Sequence, residues 1–253
     1  MDTLLAPAGL IFFPQNLWLW IAISVLMAAL VNSFAWRARR SNGKLRSGLF
    51  RWLLAALIQA GRFLYFVWLP YAALLAGLVP VTQMGLMPQD WLTDLSLALP
   101  LSLGAVLVLL LMRYLVLWQT GDRTAGPAMP WGVALRESFY QEVHWAFYRS
   151  APLLVWPDRW QGLALGLGLV ALEAWLDPHW RARWRDPVQA AAALRNAAIA
   201  VLMAAVFMIT DNFWVTLGVH VLAERITAWA WERIGEGADA AAWPVEGKQK
   251  AAW

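Results

Sequence analysis

The chain has 253 residues, 61% of them apolar and 14% charged, and the apolar residues come in long runs rather than at an amphipathic spacing. That excludes an ordinary soluble domain and describes a polytopic helical membrane protein, for which one bundle is the economical domain count. The formal net charge of +4 comes from Lys and Arg gathered between apolar runs, so orientation and anionic headgroups account for it and nucleic acid is not an expected partner; with no cysteine, disulfides and thiolate chemistry are absent.

Residues 1 to 15 carry Pro7 and Pro14 and are too short to span, so they are expected to lie at the interface. The start, Met1-Asp2-Thr3-Leu4-Leu5, lacks a basic n-region and no small-residue cleavage site precedes the first long run, so no removable signal peptide is read. A first crossing is expected over about Asn16 to Trp36. It ends in Arg37, Arg39, Arg40, Lys44, Arg46 and Arg51, the densest basic run, which the positive-inside rule places in the cytoplasm. A second element, about Leu49 to Val79, is long for one crossing and holds Gly61, Arg62 and Pro70; it reads as an interfacial helix joined to a kinked span, with Arg62 snorkelling. An outer loop with Asp90 and Asp94 leads to a third crossing, about Leu95 to Gln119.

The fourth crossing, about Trp131 to Trp156, ends in the turn Pro157-Asp158-Arg159. The fifth, about Trp160 to Leu176, contains Gly162, Gly166 and Gly168, small residues that let helices approach closely. A basic loop with Arg181, Arg183 and Arg185 follows. The sixth crossing, about Val188 to Ile209, offers Ala197, Ala200 and Ala204 as a packing face, and Asp211-Asn212 turns into a seventh, about Phe213 to Trp231. The fold class is therefore all-α, a transmembrane bundle over residues 1–234 with seven spans, or eight if residues 1–15 insert. A Gly, Ala and charge-rich tail at 235–253 is expected to be disordered and cytoplasmic. The N-terminus then lies outside a plasma or inner membrane. Of 19 Trp residues, Trp36, Trp91, Trp118, Trp131, Trp156, Trp160 and Trp214 sit at expected span ends, where aromatic belts explain them.

The fourth crossing carries the chemistry. Its stretch Gln141-Glu142-Val143-His144-Trp145-Ala146-Phe147-Tyr148-Arg149 places ionisable groups among apolar ones, each costing about 2.5–3.5 kcal/mol at a bilayer centre, so they should face the bundle interior. At about 100° per residue, Glu137 and His144 share one line and Glu142 and Arg149 another about 140° round. Helix seven adds His220 and Glu224 one turn apart, and helix five adds Glu173. Arg195 and Asn196 on helix six read as snorkelling residues, and His179 belongs to the basic loop. A rise of about 1.5 Å per residue brings His144 and Glu224 to a common depth with Glu173 slightly deeper, so they could meet in one layer. Such a layer could be a mutually neutralised structural network, or it could ligate a divalent metal or activate water on a carbonyl.

His144-Trp145-Ala146-Phe147-Tyr148-Arg149 resembles the Glu-Glu-x-x-x-Arg motif of the CPBP (CAAX protease and bacteriocin-processing, or Abi) intramembrane proteases. Asp211-Asn212-Phe213-Trp214-Val215-Thr216-Leu217-Gly218-Val219-His220 is similar to that family's late motif, where an Asn-led start opens the helix bearing a catalytic His. The resemblance spans about 131–231. It departs from the family where His144 and Trp145 replace the paired glutamates, with Glu142 two residues early, where Glu173 takes the approximate place of the middle His, and where Glu224 stands four after the late one. Only Arg149 and His220 carry over residue by residue. The resemblance implies a CPBP-like intramembrane endopeptidase fold, active or inactive, with Glu142, His144, Arg149, His220 and Glu224 lining the site. It also implies a divalent metal such as zinc on His144, His220 and Glu173, and a membrane-protein or peptide substrate within the lipid bilayer. The alternative is a non-catalytic membrane subunit or scaffold packing against a partner. A transporter is a third, weakened by the lack of inverted repeats. A wet cavity at His144 and His220 would favour the protease; side chains paired off in a closed core would favour the scaffold.

Overall fold

The computed structural model describes residues 17–41, 48–87, 90–120, 130–156 and 158–240, and every regular element among them is helical. Residues 1–15, Lys44, Arg46, the loop at 121–129, Pro157 and the tail from 241 lie outside the described residues, as do the side chains of Arg39, Arg40, Arg51 and Trp118. In chain order the elements are α1 (Leu17–Ser41), α2 (Gly48–Phe63), a π-helical segment (Leu64–Trp68), α3 (Leu69–Leu75), α4 (Trp91–Thr120), α5 (Trp131–Val155), α6 (Arg159–Leu176), α7 (Pro178–Arg183), α8 (Pro187–Thr210) and α9 (Phe213–Ala240). The helix expected to stop at Trp231 runs on to Ala240, so the first part of the tail is helical.

Four helical stretches are long and apolar enough to cross a membrane by length and composition: Leu17–Arg37, Trp52–Leu75, Trp91–Leu115 and Gln189–Thr210. The seven crossings expected from the sequence are therefore not all of this kind. α5, α6 and α9 have 25, 18 and 28 residues but carry ionisable groups within the helix.

The second expected element is one rod rather than two. α2, the π segment and α3 follow without a break, and the wider π turn stands directly before Pro70 in the first turn of α3. Proline cannot donate to the carbonyl one turn back, and a π turn absorbs the missing bond without a break in the helix.

Local chemistry sets the helix starts. The Asp90 carboxylate accepts from the amides of Leu92 and Thr93 ahead of α4, Asp158 accepts from Trp160 N ahead of α6, and Asp177 from His179 N ahead of α7. Asn212 opens α9 by accepting from Trp214 N and Val215 N, while its Nδ2 donates to Asp94 at 2.7 Å. Gly85 (φ +70°) accepts from Phe213 N at 2.9 Å; a Cβ there would stand 2.6 Å from the Asp211 carbonyl oxygen, so the loop between α3 and α4 seats on the α8–α9 turn only with glycine.

The core is centred on α5, which is buried from Glu142 to Pro152 with Trp145 alone partly covered. α6 runs antiparallel along it: a Cβ on Gly162 would meet Leu153 at 2.7 Å and one on Gly166 would meet the Arg149 Cα at 3.0 Å, whereas Gly168 faces open space. Two glycines four apart thus bring the backbones together, and the third expected one takes no part. On α8 the buried small residues are Ala193, Ala200 and Ala204; Ala197, expected on that face, is exposed.

Candidate functional site

The two lines of polar residues on α5 go to two different places. Along the first, Glu137 takes an ion pair from Arg62, which is therefore paired across the bundle and does not snorkel. One turn and more further on, His144 Nε2 lies 2.8 Å from the Tyr65 hydroxyl and 3.1 Å from Glu173 Oε2. Tyr65 is carried on the π segment. Its hydroxyl is 3.2 Å from that of Tyr148, which is 3.1 Å from Ser24 Oγ on α1. A hydrogen-bonded chain thus ties α1, the π segment, α5 and α6 together, running Ser24, Tyr148, Tyr65, His144, Glu173. With its proton on Nε2 the imidazole donates to the Glu173 carboxylate, and His144 Nδ1 is left buried without a partner.

Along the second line, Glu142 uses both oxygens. Oε1 lies 2.9 Å from His220 Nδ1, and Oε2 accepts from Arg149 Nη2 at 3.4 Å. The His220 ring stacks on Trp145 with centroids 5.3 Å apart and planes 8° from parallel, and the Arg149 guanidinium lies 4.3 Å from the centre of the Phe207 ring on α8. Glu142, His144 and His220 are 0%, 0% and 1% exposed. A carboxylate this deeply buried is tolerated because an arginine and an imidazole face it; the aromatic faces cover the guanidinium and the imidazole ring.

Glu224 joins neither group. It accepts from Arg195 Nη2 at 3.2 Å, and Arg195 also donates to Asn196, so these two form a separate pair between α8 and α9 instead of snorkelling. The single polar layer expected from axial depths is therefore three clusters. Rotation about α5 separates His144 from Glu142 and His220.

This bears on the metal. His144, His220 and Glu173 would have to converge on one point, yet His144 and Glu173 face each other on one side of α5 while His220 is turned to Glu142 on the other. Among the described residues, no three His, Asp or Glu side chains form a group that could hold a metal ion, so the ligand set implied by the resemblance does not fit.

No protein-family model, curated protein or solved structure matches this chain. The site rests on its own geometry. Sequence reasoning named Glu142, His144, Arg149, Glu173, His220 and Glu224, and passed over Tyr65, Tyr148, Ser24 and Trp145. Tyr148 was within reach, since it stands one turn from His144 on the same face. Tyr65 was not, because the π segment that aims it inward leaves no signature in the residue pattern.

Proposed function

We propose that this chain is a non-catalytic integral membrane protein, a subunit or scaffold of a larger membrane assembly. The observation that carries the reading is that Glu142, Arg149, His144 and His220, the ionisable groups at the heart of α5 and α9, are buried and matched to one another or to Glu173 within the bundle. Hydrolysis needs a water beside its base and a path for a peptide bond; Glu142 instead spends both oxygens on Arg149 and His220. The same pairing supports seven crossings, and the basic runs after the first and fifth support an N-terminus outside and a C-terminus in the cytoplasm of a plasma or inner membrane. The pairing removes most of the penalty that keeps α5, α6 and α9 from counting as apolar spans. The absence of cysteine makes the topology directly testable: single cysteines placed at Gln83 and Arg183 should react with an impermeant reagent from opposite sides.

The CPBP-like intramembrane protease is the second reading, favoured by the Glu142 carboxylate lying against the His220 imidazole, an acid–base pair that a rearranged site would employ. One experiment decides between them. Metal content and cleavage of membrane-peptide substrates are measured for the wild type, Glu142→Ala and His220→Ala in mild detergent. The scaffold reading expects no stoichiometric metal, no cleavage, and variants that differ only in stability. Cleavage by the wild type that both variants lose would overturn it.

A further inference from the structure

Two groups of arginines contrast among the described residues. Arg62, Arg149, Arg159 and Arg195 each rest on a carboxylate, from Glu137, Glu142, Asp211 and Glu224. Arg37 at the end of α1, and Arg181, Arg183 and Arg185 on α7 and the turn after it, are exposed and have no carboxylate partner among the described residues. They are also close together, because α7 lies against the end of α1: the rings of Trp36 and His179 meet edge to face at 4.5 Å. Trp180 and Trp184 stand one turn apart beside the arginines, rings 5.1 Å apart, with Trp184 exposed. The nearby carboxylates are engaged elsewhere, Asp177 with His179 N and Asp186 with Gln189 N.

We infer that this junction of α1 and α7 is a binding site for the headgroup of an anionic phospholipid. Guanidinium groups match a phosphodiester in a forked, two-bond geometry, and tryptophan settles at headgroup depth, so the two residue types belong at the same level of a bilayer. Basic clusters between helix ends select anionic headgroups over zwitterionic ones, and here four positive charges lie on one short helix, the turn after it and its neighbour's end. The site goes beyond the scaffold reading and requires only that the protein is embedded in a membrane.

The test is native mass spectrometry of the full chain in mild detergent, titrated separately with phosphatidylglycerol, phosphatidylcholine and inorganic phosphate. Phosphatidylglycerol should bind in preference to phosphatidylcholine. The triple variant Arg181→Gln, Arg183→Gln, Arg185→Gln should lose roughly a hundredfold of that affinity, and the corresponding Arg→Lys triple variant, which keeps the charge and gives up the fork, should fall between the two. The lysine variant separates loss of charge from loss of fold. Equal binding of the two lipids, or equal phosphatidylglycerol binding by wild type and the glutamine variant, would overturn the proposal. Displacement of phosphatidylglycerol by an equal concentration of phosphate would overturn the lipid assignment as well, leaving a plain anion site. None of these results depends on whether the protein cleaves peptides.

Discussion

α4 and α5 are opposites. α4 is a long run of Leu and Val that packs chiefly on α8 and α9 among the described residues, and Leu92, Leu99, Leu103, Leu107 and Leu111 all stand exposed on it. α5 is far more polar, yet Glu142, His144, Ser138, Arg149 and Ser150 are all buried within it. In water this would be an inside-out protein. In a bilayer, lipid is as apolar as leucine, so apolar side chains gain little by leaving it, while charged and hydrogen-bonding groups must find partners within the bundle. Hydropathy therefore marks the helices that are apolar throughout, and four stretches satisfy it; α5, at the centre, is one of three long helices it passes over, with α6 and α9.

The comparison breaks if α5 tolerates loss of charge as α4 tolerates loss of bulk. Glu142→Ala leaves Arg149 and His220 buried without their shared carboxylate and should cost about 3–5 kcal/mol in detergent-based unfolding. Leu103→Ala on the lipid face, 62% exposed, should stay within about 0.5 kcal/mol. If the two variants unfold together, the buried pairs contribute nothing and the central position of α5 has another cause.

The α5–α6 seam sharpens it at intermediate size. Gly166→Ala places a methyl 3.0 Å from the Arg149 Cα and should destabilise by about 1–3 kcal/mol, whereas Gly168→Ala meets nothing and should be neutral or slightly stabilising. The same measurement on both variants checks whether the approach of the backbones depends on the two seam glycines alone. Tyr65→Phe removes the hydroxyl linking His144 to Tyr148 and should cost about 1–2 kcal/mol, with a loss of protection in hydrogen exchange around the π segment. Retained protection there would mean that the hydroxyl chain is incidental to the packing.

Much of this was legible because a helix fixes angles about its own axis. Glu137 with His144, and Glu142 with Arg149, do fall on two lines, and the helix positions follow the apolar runs and the turn residues Asp158 and Asn212. What periodicity cannot supply is the neighbour each line meets. Arg62 and Glu137 are 75 residues apart, and nothing local ties them together. The π segment also breaks the 100° rule in mid-helix, and Tyr65, which meets His144 from within it, stands 79 residues away in the chain. For the same reason the metal set implied by the resemblance does not converge: His144 and Glu173 meet on one side of α5 and His220 meets Glu142 on the other.

The smallest effect sits outside the bundle, at the start of the most apolar helix. The Thr93 hydroxyl, at 2.6 Å, and the amides of Thr93 and Leu92 all donate to Asp90, and these bonds hold its carboxyl below the ordinary carboxylate range. A carboxylate whose pKa is depressed by folding adds stability that is complete above its unfolded value, about 3.9, and is lost as pH falls through the lower folded value. Unfolding midpoints of the wild type and Asp90→Asn should therefore differ at pH 6 and converge as the pH drops below that range. The effect should be slight, because the group is fully exposed and solvent screens it. A gap that persists at low pH would mean that Asp90 caps α4 equally well as a neutral acceptor, so that even the carboxyl just ahead of α4 acts through geometry, as the leucines of that helix do, and the charge-dependent part of this fold centres on α5 and the helices packed around it.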